Sequence, residues 1–156
     1  MLKQCAVFVG GFGLEQATAL IDLSDFPDSP EVPEALELLC RQSLMYRVMA
    51  PERRGECRYA LYGVVRLEAE RALQESGAVD RFMDRHAEVY LALVEGLEEQ
   101  IMGPDGSVAM DRLAIELNNV LAVHRRYEEL RPNLGSPRRH QHHAFADAAR
   151  ADFLGR

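Results

Sequence analysis

Apolar residues recur at helical spacing in five stretches of the chain, and the period drops to two in a short middle segment. Leu14, Ala17, Leu20 and Ile21 predict a short helix over 14–21. Leu36, Leu39 and Cys40 predict a second over 34–42, with acidic residues at its start and Arg41 at its end, the sense that suits the helix dipole. Three longer helices are expected at 64–75, 79–100 and 108–130. The 79–100 segment carries Val79, Phe82, Met83, Tyr90, Leu93 and Leu97 as its apolar stripe, and the 108–130 segment carries Leu113, Leu117, Val120, Leu121 and Tyr127. Between the second and third helices, Leu44–Met49 and Arg58–Leu61 read as strands, and the polar run Pro51–Glu56 between them reads as a hairpin loop.

Glycine and proline punctuate this pattern. Gly10, Gly11 and Gly13 break a leading apolar run, Leu2–Val9, which is the end of a helix or a short strand. Pro27, Pro30 and Pro33 mark 25–33 as a loop. Ser76-Gly77 closes the third helix, and Gly103-Pro104-Asp105-Gly106 separates the last two, with Ser107 a candidate N-cap. If those connections stay short, the last helices pair antiparallel. Pro132 to Pro137 ends the pattern, and from Arg138 onward the composition is basic and polar, with a short helix expected over 144–154.

Composition narrows the function classes. Apolar residues are 47% of the 156, enough for a core, and with aromatics at 7% and no Trp that core leans on Leu, Ala and Val, as helices prefer. A net charge of −7 disfavours nucleic acid and anionic lipid as partners, because both reward basic surfaces. Cys5, Cys40 and Cys57 are an odd, widely spaced set with no CxxC, so buried free thiols in a reducing cytosol are expected rather than a disulfide framework or zinc ribbon. No run reaches the length of a membrane span and no secretory signal is visible.

Candidate chemistry is sparse. CAVFV followed by GGFG invites a dinucleotide-binding reading, but Gln16 stands where the third glycine belongs, and no parallel second strand follows at the required distance. Nothing fits GxxxxGK[ST], and no serine sits in a GxSxG elbow. Cys40 and Cys57 have no evident His partner. Glu98-Glu99 and Glu128-Glu129 are adjacent on helices, so each pair diverges rather than forming an acid/base pair. His86 and His124 are expected to be core or boundary residues. His140, His142 and His143 lack the further ligands that a metal site needs. No catalytic residue, metal or cofactor is expected.

Four phrases in order resemble the winged-helix and adjoining helical region of bacterial signalling ATPases of the STAND (NB-ARC-like) class. Val7-Phe8-Val9-Gly10-Gly11-Phe12-Gly13-Leu14-Glu15-Gln16-Ala17 resembles the phrase VFxGGFxLExA at the first turn of the winged helix. Tyr59 to Ala69 is similar to YRMLETIREYA, where wing passes into helix. Ser76-Gly77 with Arg85–Leu93 is similar to SGE…RRHAxYxLAL. Met110–Val120 is similar to LDRLExExDNL, which opens a tetratricopeptide-like array. The resemblance covers about residues 5 to 126. It implies a relay between nucleotide core and sensor repeats, here without the core. At the junction where relatives carry a nucleotide-sensing Met-His-Asp or Met-Leu-Glu triplet, this chain has Leu61, Tyr62 and Gly63. That sensor is degenerate, and Leu61 and Tyr62 are expected to pack under the wing.

The fold expected is mainly α: a winged-helix-like unit with a small β-hairpin over 1–76, a helical hairpin opening a repeat array over 77–131, and a loosely ordered tail or short helix over 132–156. The function expected is a non-enzymatic cytoplasmic module for regulation and protein interaction, self-associating or docking through helix faces. The alternative is a DNA-binding transcriptional regulator that uses Arg41, Arg47, Arg53 and Arg54 on the second helix and wing.

Overall fold

The structure, a computed structural model, describes residues 1–49 and 57–130. The hairpin loop with Arg53 and Arg54, and the tail with His140, His142 and His143, lie outside the described residues. Residues Met1–Val123 make one compact unit, and the chain from His124 onward clusters separately.

A 3-10 helix, Leu2–Val7, leads into strand β1 (Phe12–Gly13), helices α1 (Leu14–Leu20) and α2 (Val32–Arg41), strands β2 (Met45–Met49) and β3 (Cys57–Leu61), and helices α3 (Gly63–Glu75), α4 (Val79–Ile101) and α5 (Gly106–Leu130). The fold is mainly α with one small antiparallel sheet, as expected. The sheet order is β1-β3-β2, with Phe12 opposite Tyr59 and Arg47 opposite the same tyrosine from the other side. The β2–β3 hairpin carries the short strand β1 on its β3 edge, and two helices precede the hairpin.

Four local expectations change. The leading run is neither α-helix nor strand but a 3-10 turn that buries Gln4, Cys5, Ala6 and Val7. Phe12 and Gly13 are a strand rather than turn, because Phe12 must lie beside Tyr59 to cover the core. Helix α2 begins at Val32, so Pro33 lies inside it. Proline is tolerated there because the first-turn N–H groups have no helical partner to lose. Helix α5 begins at Gly106, so Ser107 is within the helix and caps nothing.

Helix α2 ends in a Schellman motif. Ser43 takes a positive φ of 59°, Leu44 N–H donates to the Leu39 carbonyl at 3.0 Å, and Ser43 N–H donates to the Cys40 carbonyl at 3.0 Å. That sharp reversal aims β2 back along α2. Helices α4 and α5 run antiparallel, since Tyr90 meets Glu116 while His86 meets Asn119.

The core gathers Phe8, Phe12, Leu20, Leu36, Met45, Leu73, Phe82 and Tyr90 from every layer. Phe8 stacks on Phe12 with centroids 4.1 Å apart. Gln4 closes a loop-to-turn bridge: its Nε2 donates to the Asp22 carbonyl at 2.8 Å, and its Oε1 accepts from the Asp22 N–H at 2.7 Å.

Candidate functional site

The buried face of α5 keeps only part of the stripe that hydropathy predicts: Leu113 is buried and Val120 partly buried, while Leu121 and Tyr127 are exposed. Ala109, Glu116, Asn119 and Val123 are buried with Leu113. Two polar side chains therefore enter the core together, and each is held there by partners from other elements.

Glu116 forms a double contact with Arg58 of β3: Oε1 takes Nη1, and Oε2 accepts from Nη2 at 3.1 Å. The same Oε2 accepts from the Tyr90 hydroxyl at 3.1 Å and from Asn119 Nδ2 at 3.2 Å. Arg58 Nη2 also donates to the Gly11 carbonyl at 3.0 Å. Burial and the adjoining Glu116 carboxylate push the Tyr90 hydroxyl well above the ordinary tyrosine range, so it stays a donor.

Asn119 uses all of its polar valence. Its Nδ2 donates to the Gly11 carbonyl at 2.9 Å as well as to Glu116. Its Oδ1 accepts from the Val9 N–H at 2.6 Å and faces His86 Nε2 at 3.3 Å. Val9 can only donate and the Gly11 carbonyl can only accept, so the amide has one orientation. Since Oδ1 is an acceptor, His86 must carry its proton on Nε2. Its Nδ1 is then a bare lone pair, buried and without a partner among the described residues.

These groups converge on one turn. Gly10 and Gly11 have φ of +82° and +92°, which side chains resist. A Cβ on Gly10 would stand 2.8 Å from Asn118 Nδ2, and one on Gly11 would stand 3.1 Å from the Tyr59 carbonyl oxygen. The glycines therefore allow α5 and β3 to close on the turn. From the other side, Arg66 of α3 donates through Nη2 to the carbonyls of Ala6 at 3.2 Å and Phe8 at 2.6 Å, and through Nε to Glu70 at 2.9 Å. The turn that resembles a phosphate loop is a clamp point. Its preceding segment is not a strand and its sheet is antiparallel, which removes the dinucleotide geometry.

His86 gives this clamp a pH signature. Burial lowers its pKa below the ordinary value near 6.5, against a smaller upward pull from Asn119 and Glu116. The unfolded chain then takes up a proton that the folded protein refuses. Stability is complete above the ordinary histidine range and falls as pH drops below it. Urea titrations between pH 7.5 and 5.5 should show wild type losing stability more steeply than H86Q; equal slopes would refute the assignment.

The other predicted residues are scattered. Leu61 is buried as expected, but Tyr62 is exposed and tilts against Tyr46 with centroids 4.9 Å apart, because the strand ends at Leu61 and turns the next side chain outward. Gly63 opens α3, and a Cβ there would meet nothing within 4 Å. Arg41 is exposed at the end of α2. Arg47 is paired with Glu37 of α2 at 2.8 Å. Neither Arg41 nor Arg47 touches the Gly10–Gly11 clamp.

Cys5 is a buried thiol whose pKa is pushed up to about 12 by desolvation, so it is inert at neutral pH. Cys40 and Cys57 are half-buried and free. Among the described residues, no three His, Cys, Asp or Glu side chains converge to hold a metal ion, and no helix is long and apolar enough to cross a membrane. Sequence reasoning missed Arg58, Tyr90, Glu116 and Asn119 as a group. The available signal was a Glu and an Asn three apart on the inner side of an amphipathic helix.

No protein-family model, curated protein or solved structure matches the chain.

Proposed function

We propose that the chain is a non-enzymatic, cytoplasmic module for regulation and protein interaction, like the segment that relays between the nucleotide core and the sensor repeats in STAND-type ATPases. The observation that carries this reading is an apolar surface running from β2 onto α3. Tyr46 and Tyr62 touch there, and Val64 and Leu67 follow on one face of α3, 77% and 66% exposed. Val48 adds to it from β2, and all five are exposed.

The clamp supports the relay part. Glu116 and Asn119 tie α5 to β3 and to the Gly10–Gly11 turn, so a shift of α5 would be felt at the sheet. Three free cysteines suit a reducing compartment. The DNA-binding alternative gains nothing from the geometry. The outer side of α2 presents Glu31, Glu34 and Glu37, and a phosphate reaching Arg47 would have to displace Glu37.

Sedimentation velocity over a concentration series tests the surface. Wild type should show a sedimentation coefficient that rises with concentration, and V64E/L67E should not. Because both positions are exposed, the variant should melt within about 0.5 kcal/mol of wild type. A wild-type monomer at every concentration would remove self-association from the reading.

A further inference from the structure

The two faces of the sheet differ. Arg47 points toward α2, where it meets Glu37, so Tyr46 and Val48 alternate onto the opposite face. That face holds a cavity of about 280 Å³, bordered by Phe8, the Gly10–Gly11 turn, Tyr46, Val48, Ala60 and Arg66. Its wall is mixed, somewhat more apolar than polar, and it opens to solvent. The volume suits a metabolite rather than a larger ligand.

Its two cations are not equivalent. Arg58 is committed to Glu116 and the Gly11 carbonyl. Arg66 is anchored by Nη2 to two backbone carbonyls and by Nε to Glu70, while its Nη1 has no partner among the described residues. The Glu70 side chain is 41% exposed, so water screens its charge, and Arg66 is 29% exposed. A fixed guanidinium with two unused N–H donors beside an apolar wall is a preorganised acceptor site. A phosphate would bring three strong acceptor oxygens to this one nitrogen, whereas a carboxylate brings two.

We propose that this cavity binds a small carboxylic acid with an aromatic or branched aliphatic body, the carboxylate on Arg66 Nη1 and the body against Tyr46, Val48 and Ala60. The site shares Tyr46 and Val48 with the apolar surface proposed above, but it requires no partner chain and is tested without one.

Isothermal titration and proton–nitrogen NMR with 3-phenylpropanoate test it, with 3-phenylpropanamide as the uncharged control. Saturable one-to-one binding is expected, with shifts at Tyr46, Val48 and Ala60. The amide should bind at least about tenfold more weakly, because a charge-assisted hydrogen bond is lost. V48W fills the cavity from an exposed strand position and should abolish binding while leaving the fold intact by NMR. R66Q should behave like the amide; if it does not fold, the acid–amide comparison carries the cation's part alone. Absence of saturable binding, equal affinity for acid and amide, or full binding by V48W would each overturn the proposal.

Discussion

Replacing Glu116 with Ala is expected to lower stability by about 3–5 kcal/mol, the usual cost of stripping one partner from a buried ion pair. Arg58, with a side chain only 14% exposed, would lose the Glu116 carboxylate. The Tyr90 hydroxyl and Asn119 Nδ2 would lose an acceptor in the same step. Domains of this size are commonly stable by only about 5–15 kcal/mol, so the variant would sit near the edge of folding. Chemical denaturation measures the loss. Replacing both charges with apolar side chains of similar length, R58M/E116L, should recover much of it, because the desolvation cost of the pair disappears with the pair. The recovery is incomplete, since Tyr90 and Asn119 still lack their acceptor. An E116A variant within about 1 kcal/mol of wild type would show that Arg58 finds water or another anion, and that the clamp is weaker than its geometry implies.

The same residues mark where the sequence stops being legible. Element order followed from apolar spacing and from glycine and proline positions, because those signals act locally. Hence α1, α2, both hairpin strands and the three long helices fall within a few residues of where spacing puts them. Pro33 misled because proline usually signals a break, and only its place in the first turn makes it compatible with α2. Phe12–Gly13 was hidden because a two-residue strand has no period of its own and exists only through its pairing with Arg58 and Tyr59. On α5 the hydrophobic pattern pointed to Leu117 and Leu121, while the buried positions include Glu116 and Asn119. A polar residue in a core is stable only if partners from distant segments meet it, here residues 9, 11, 58, 86 and 90. No local pattern encodes those meetings. The candidate cavity was illegible for the same reason: its one unfilled guanidinium nitrogen is known only once the other three N–H donors of Arg66 are placed.

Asn119 offers a sharper probe of the clamp than Glu116, because two substitutions separate loss of bonds from reversal of one. N119A leaves the Val9 N–H and His86 Nε2 without their acceptor, while the Gly11 carbonyl keeps the Arg58 donor. Each buried polar group left unmet costs about 1–3 kcal/mol, so a loss of about 2 kcal/mol or more is expected. N119D keeps the shape and the oxygen facing Val9 and His86. It turns the Nδ2 position into a second oxygen, which then faces the Gly11 carbonyl and the Glu116 carboxylate, where the amide now donates at 2.9 and 3.2 Å. At neutral pH N119D should therefore be at least as damaging as N119A. Burial and the neighbouring Glu116 raise the introduced carboxyl's pKa in the folded state above its unfolded value near 3.9. The folded form then holds a proton that the unfolded chain releases, so N119D loses stability as pH rises from about 4 and regains it on acidification. Any pairing of the new carboxylate with a protonated His86 acts in the same direction. The wild-type trend at His86 is opposite, with stability falling on acidification. Urea midpoints for wild type, N119A and N119D at pH 7.5 and pH 5 should show N119D gaining on both others as pH falls. N119D matching wild type at pH 7.5 would mean that the amide's donors are replaceable, and that Asn119 is not what holds α5 to the glycine turn.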